Sequence, residues 1–315
     1  MINISAAIIK LCIISLFGAY LYKKSVITDN VLEFLVLFVV RFTIPFLFFS
    51  RLLLSSGIIL NNSLGKFVIL SVLIFGAGYY LGLLFTPKKD GILKREFISM
   101  ASFQNGGYLP MNIAVFLLPL GVRDKFLVFI VLYLLGFNIL FWSLGSYFIF
   151  KKKNESFSMR SIFTPPTVST LLALFLIYTG LSKFIPHLIL MPLEMIGDLS
   201  FVLSMIILGC WLARIKIEGI KQTINLFLRL ASIRLILVPL IFLGVIVVFK
   251  MYTLFGLLVI VEACMPSAVS LPIIAHIRKA NSEFISQGIL VTHILSIITI
   301  PFWLSIFAYV SGFSF

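Results

Sequence analysis

The chain has 315 residues, 61% of them hydrophobic and only 11% charged, with a formal net charge of +14. Soluble domains carry about 25% charged residues, so this composition, with a mean hydropathy of +1.17 and repeated apolar runs of spanning length, excludes a soluble protein. The basic residues fall in short loops between apolar runs, which is how a membrane protein sets its orientation, and this excludes a nucleic-acid binder.

Ten spans are predicted, at 4–22, 31–51, 65–85, 97–120, 126–150, 161–181, 187–213, 222–249, 254–276 and 284–310. No basic region precedes the first apolar run, and Lys23-Lys24 follow it, so it reads as a retained span and not a cleavable signal peptide. The spacing divides the chain into a first five-helix repeat at 1–150, a polar loop at 151–160 and a second repeat at 161–315. If the loop after span 1 is cytoplasmic, fifteen basic loop residues lie on that side and six on the other. The positive-inside rule then puts both termini outside. Five spans per half is an odd number, so a duplicated unit must insert upside down relative to its twin. The fold class expected is therefore all-α, ten transmembrane helices as two inverted five-helix repeats.

The fourth and ninth spans are interrupted. Span 4 contains Phe103-Gln104-Asn105-Gly106-Gly107-Tyr108-Leu109-Pro110-Met111-Asn112, and span 9 contains Glu262-Ala-Cys-Met-Pro266-Ser267-Ala-Val-Ser270-Leu-Pro272. Glycine weakens a helix by ~1 kcal/mol and proline by ~3. The breaks begin at Asn105 and Pro266, one shift of 161 residues apart. Paired breaks in corresponding halves point to a transporter's binding site. Gln104, Asn105, Gly106, Gly107, Pro110, Asn112, Pro266, Ser267, Ser270 and Pro272 are the candidate substrate-binding set. The amides can donate to a carboxylate and accept from an acid or cation. The plainer reading has Asn105 as a helix cap and Ser267 and Ser270 bonded back to helix carbonyls.

Glu262 is the only acid in span 9. A charge at membrane depth is functional by default, here as a proton carrier or a sodium ligand, against a structural ion pair or a protonated, hydrogen-bonded carboxyl. His293 and His276 are weaker candidates for coupling, since imidazole titrates near neutrality but a lone histidine is more often structural. Arg41 and Arg234 lie deep in spans 2 and 8, where either would neutralise a substrate carboxylate or pair with an internal acid such as Asp198. Arg229 is close enough to the cytoplasmic end to snorkel. Cys12, Cys210 and Cys264 read as small buried hydrophobes. Gly76, Gly78 and Gly82 read as a helix-packing stripe in span 3. No metalloprotease, hydrolase or phosphate-loop motif is present, so the chain reads as no enzyme and needs no cofactor.

Asn105-Gly-Gly-Tyr-Leu-Pro-Met-Asn112 resembles the Asn-Thr-Gly-Tyr-Leu-Gly-x-Pro stretch of the auxin efflux carrier family. Met265-Pro266-Ser-Ala-Val resembles that family's Met-Pro-x-Ala-Val, Thr299-Ile-Pro301-Phe-Trp303 its Thr-x-Pro-x-Trp, and Pro45 its span 2 proline. One departure is that Asn112 stands where the family has a proline and Pro110 where it has a glycine. The resemblance implies broken helices 4 and 9 crossing at their prolines, a scaffold of spans 1, 2, 6 and 7 that also serves a homodimer, and a mobile unit of spans 3–5 and 8–10. It further implies elevator-type transport of small organic anions such as auxin, malonate and other carboxylates. The related bile acid sodium symporters place sodium near the crossover, and Glu262 resembles one of their sodium-binding glutamates.

The sequence thus reads as a secondary carrier (permease) of a small organic anion. The alternatives are a sodium-coupled symporter or cation/proton antiporter on a similar scaffold and, in another class, a membrane sensor that binds without transporting. The topology is checked with a Ser156→Cys variant in intact cells. An impermeant thiol reagent added outside should leave that cysteine unlabelled; labelling from outside would overturn the orientation.

Overall fold

Lipid offers no water to an unpaired backbone group, so a chain this apolar closes its hydrogen bonds within helices. The computed structural model describes residues 2–86, 93–150, 162–277 and 279–315, and it is helical with no strand among those residues. In chain order the helices are α1 (Ile2–Lys23), α2 (Asp29–Leu54), α3 (Leu64–Phe85), α4 (Lys94–Ser102), α5 (Tyr108–Leu117), α6 (Leu120–Trp142), α7 (Pro165–Tyr178), α8 (His187–Arg214), α9 (Ile220–Val248), α10 (Leu254–Ala263), α11 (Leu271–Ile277) and α12 (Ser282–Ser311). Seven of these, α1, α2, α3, α6, α8, α9 and α12, are long and apolar enough to cross a membrane.

Three expected spans differ. The fourth and ninth are each a pair of short helices, α4 with α5 and α10 with α11. The sixth is α7, with 14 residues. Its start is fixed by Thr164, whose hydroxyl accepts the N–H of Thr167, with Pro165 at the first helical position. Just past its end Gly180 turns the chain at φ 76°. At 1.5 Å per residue α7 spans ~21 Å, short of the ~30 Å hydrocarbon core. The basic stretch Lys151–Arg160 lies outside the described residues.

The helices pack in two groups. α1 lies along α8, and α2 packs on α7 and α8. In the other group α3 packs on α4 and α6, and α12 packs on α9, α11 and α4. α5 reaches between them, touching α1 and α8 as well as α6. Glycine sets the closest approaches. A Cβ at Gly209 would lie 1.7 Å from the Ser15 carbonyl oxygen, and one at Gly18 would lie 2.2 Å from that of Ile206. In α3, Gly78 and Gly82 press on α4 at Ala101 and Ile98, whereas Gly76 faces open space.

π turns interrupt α2 at Val39–Thr43 and α9 at Ile233–Leu237, each just ahead of a proline, Pro45 or Pro239. A proline cannot donate to the carbonyl four residues back, which in α9 is that of Leu235. The indole N–H of Trp303 fills this gap, donating to the Leu235 oxygen at 2.7 Å.

One ion-pair cluster ties the two groups. Arg51, near the end of α2, meets Asp124 of α6 at 3.0 Å and Glu194 and Asp198 of α8 at 2.9 and 3.0 Å. The sequence reading offered Asp198 to Arg41 or Arg234, and the structure gives it to Arg51. Gly197 sits against the Leu47 backbone, which sets Asp198 beside Arg51 one turn on. Arg41 is ~15 Å of helix further back, exposed on the outer face of the π turn and in no ion pair among the described residues.

A Gly209→Ala variant should separate α1 from α8, because its new methyl meets backbone and not a flexible side chain. Overpacking of this kind costs ~1–3 kcal/mol. Thermal unfolding in detergent should register a lowered Tm; an unchanged Tm would show that the contact is not tight.

Candidate functional site

The two interruptions solve one problem together. α4 stops at Ser102, and once the Phe103 N–H has closed the last helical bond on Ser99 the chain runs non-helical to Gly107. The segment after Ala263 does the same until Leu271. Their unspent backbone groups pair with each other as an isolated antiparallel bridge between Gln104 and Ser267. The Asn105 N–H donates to the Pro266 oxygen at 2.8 Å, and the Ala268 N–H donates to the Phe103 oxygen at 2.9 Å. The break lies ahead of Pro110, which is the third residue of α5; Pro272 is likewise the second of α11. There the missing N–H is one of the four that no helix uses. These prolines therefore begin the second half-helices and do not interrupt them.

On one side of the bridge is a cavity of about 100 Å³. Gln104, Asn105, Gly106, Gly107, Ala268 and Ser270 line it from the two breaks, facing Val36, Val40 and Ile44 of α2 and Trp211 of α8. α6 adds Phe137, Asn138 and Trp142. The N-terminus of α5 opens here, with Gly107 as its cap and no side-chain capping bond. A larger recess of about 610 Å³ shares Trp211 and Ile273 with the cavity and carries Glu33, Arg214, Lys216, Pro272 and Glu283. The recess is the bigger space, but the polar groups of the breaks gather in the small cavity.

Asn105 is buried, and its Nδ2 lies 3.4 Å from Nε2 of His293. The other ring nitrogen, Nδ1, is 2.9 Å from the Ile289 carbonyl. A carbonyl only accepts, so Nδ1 carries the proton and Nε2 is the acceptor for the Asn105 amide. The histidine thereby orients Asn105.

Behind the bridge lies a second cluster, wholly buried. Arg234 comes from the π turn of α9. Its Nη2 donates to Met265 oxygen at 3.0 Å and to Ala263 oxygen at 3.4 Å, and its Nη1 to Ala101 oxygen at 3.4 Å. Glu262 is 0% exposed, and neither carboxyl oxygen has a hydrogen-bond partner. Its Oε2 lies 3.2 Å from where a Cβ on Gly106 would stand, so the glycine makes room for it. Gln104 donates from Nε2 to the Tyr133 hydroxyl, while its Oε1 is buried without a partner. Ser267 donates its hydroxyl to Met100 oxygen at 2.9 Å.

The sequence-predicted residues therefore divide. Gln104, Asn105, Gly106, Gly107 and Ser270 line the cavity, Pro266 and Ser267 build the bridge, and Pro110 and Pro272 start helices. Asn112 points away from the cavity, donating to Tyr108 oxygen at 2.8 Å and Ser204 Oγ at 3.0 Å. Glu262, Arg234 and His293 come together around the breaks, whereas Arg41 and Asp198 stand apart. The side chain of His276 lies outside the described residues. Sequence reasoning missed Tyr133, Asn138 and Trp211. Asn138 was findable as a polar residue inside an apolar span; Tyr133 and Trp211 carry no such signal.

Two comparisons bear on this arrangement. A family model described as membrane transport protein matches residues 149–304, a stretch that holds the second break, Glu262, Arg234, His293 and Trp303. No curated protein matches the chain significantly.

Proposed function

Residues 149–304 belong to the auxin efflux carrier family of membrane transport proteins, and on that premise we propose that the chain is a secondary carrier of small organic anions. The observation that carries the reading is the pairing of the two unwound segments beside a cavity. Unwound backbone at membrane depth is tolerated where protein or a cavity satisfies it, and transporters use it to bind substrate.

The substrate's negative end faces the start of α5, whose unbonded N–H groups and positive dipole end favour an anion. Asn105 adds an amide held in place by His293, and Trp211, Phe137 and Trp142 give the substrate an apolar wall. By the positive-inside rule the larger recess opens to the cytoplasm, so the conformation is inward-facing, with both termini outside and the chain in the inner membrane. The fold is two inverted five-span repeats whose fourth and ninth members cross at their breaks. The group containing α3 to α6 and α9 to α12 moves against that of α1, α2, α7 and α8, which also serves a homodimer.

Glu262 is the coupling residue. A buried carboxyl with two unpartnered oxygens calls for a proton or a cation.

Two variants test the assignments. Asn105→Ala should weaken binding of a carboxylate substrate by ~1–3 kcal/mol, because the buried groups it served lose a partner. Titration calorimetry against carboxylates first picked out by a thermal-shift screen measures this, and an unchanged affinity in a folded variant would refute the contact. Glu262→Gln keeps the volume and removes the titratable charge. Reconstituted in liposomes, it should lose gradient-driven accumulation and retain some counterflow; accumulation at the wild-type rate would leave Glu262 purely structural.

A further inference from the structure

We propose that Arg234 is a fixed internal cation, filling the oxygen-lined site that a coupling metal cation would otherwise occupy. The inference deepens the carrier reading and rests on it for the word coupling alone.

Breaking two helices in a membrane releases carbonyl oxygens, and such carbonyls with half-helix C-terminal ends are where transporters coordinate a coupling sodium. Here α4 and α10 end facing the same point. Ala101 near the end of α4, Ala263 at the end of α10 and Met265 in the second break direct their oxygens at one guanidinium. Each C-terminus carries roughly half a negative charge, so two together come to about one. That is the charge of a monovalent cation, and the arginine supplies it.

The chain is shaped to deliver this side chain. The π turn Ile233–Leu237 adds a residue to the helical turn, and π turns of this kind are frequent at functional sites. Pro239 withholds the N–H that would have reached Leu235, and Trp303 donates there instead. The turn is therefore pinned from outside while Arg234 points in at 0% exposure.

What remains around Glu262 is too little for a second cation. Besides its own two oxygens, the buried acceptor of this cluster without a hydrogen-bond partner is Gln104 Oε1, on the side chain that reaches Tyr133. Hard cations such as calcium and magnesium take roughly six oxygens or more, and the carbonyls of Ala263, Met265 and Pro266 are already engaged, the first two by Arg234 and the third by Asn105. A proton on Glu262 removes its charge without any further ligand. The coupling species is accordingly a proton and not sodium.

The test uses the full chain in neutral detergent, without substrate, so its outcome is independent of whether the carrier assignment holds. Thermal unfolding is followed in sodium chloride and in choline chloride at equal ionic strength. Wild type should have the same Tm in both. Arg234→Ala opens a cation-sized gap among carbonyls, and its Tm should be lower than wild type and rise saturably with sodium. Arg234→Lys keeps the charge and should not respond to sodium. A saturable sodium stabilisation of wild type that Glu262→Gln abolishes would overturn the proposal, since a sodium site would then exist beside the arginine. A folded Arg234→Ala that ignores sodium would overturn it as well, leaving Arg234 a structural cap. If Arg234→Ala does not fold, the wild-type and Glu262→Gln titrations still decide.

Discussion

The structure turns on a constraint that lipid imposes. A helix interrupted inside a membrane leaves N–H and C=O groups that nothing in the hydrocarbon will bond. One break alone would have to be satisfied by side chains. Two breaks placed together satisfy each other, and the reciprocal bonds from Asn105 to Pro266 and from Ala268 to Phe103 do this. The requirement that the breaks meet places α4, α5, α10 and α11 around one point. It also explains why Gly106 is glycine, since a Cβ there would crowd Glu262 and Tyr133.

The same geometry sorts charge. Each break has a helix ending before it and a helix starting after it, so it presents one negative and one positive dipole end. The ending helices, α4 and α10, face Arg234, while α5 starts at the cavity. Gln104 stands between, lining the cavity and reaching Tyr133 beside Glu262. A single side chain thus touches both the cavity and the buried cluster that holds Arg234 and Glu262.

Most of this architecture was legible because lipid enforces simple rules. Apolar runs gave the long helices within a few residues except α6, which begins six residues before the expected span, and the Gly-Gly and Pro residues marked both breaks. Composition could not fix the exact extent of each break: Pro110 reads as a helix breaker but sits in a first turn, where its missing donor costs nothing. The charged partners were the least legible. Asp198 was matched with Arg41 or Arg234 on depth alone, yet the Gly197–Leu47 contact sets which arginine it meets. Arg51 falls on the last residue of the expected second span, and its role depends on three carboxylates from α6 and α8, none of them nearby in sequence.

That cluster also constrains how the two helix groups can move. Within each group the contacts are backbone against backbone, as at Gly18 and Gly209 or at Gly78, and they permit little sliding. Between groups the polar ties are sparse. Arg51 joins α2 and α8 to Asp124 of α6, and Asn112 of α5 reaches Ser204 of α8. The bridge and the Arg234 cluster lie wholly inside the second group, so a shift of that group need not break them. Among the described residues the polar ties between the groups include Arg51 with Asp124, Asn112 with Ser204, and Asn3 of α1 with the Phe315 carbonyl beyond α12. Asp124 is 43% exposed, so water can replace its partner at small cost, and Arg51 keeps Glu194 and Asp198 when it does. The fold is therefore rigid where the site is built and lightly fastened where the groups meet.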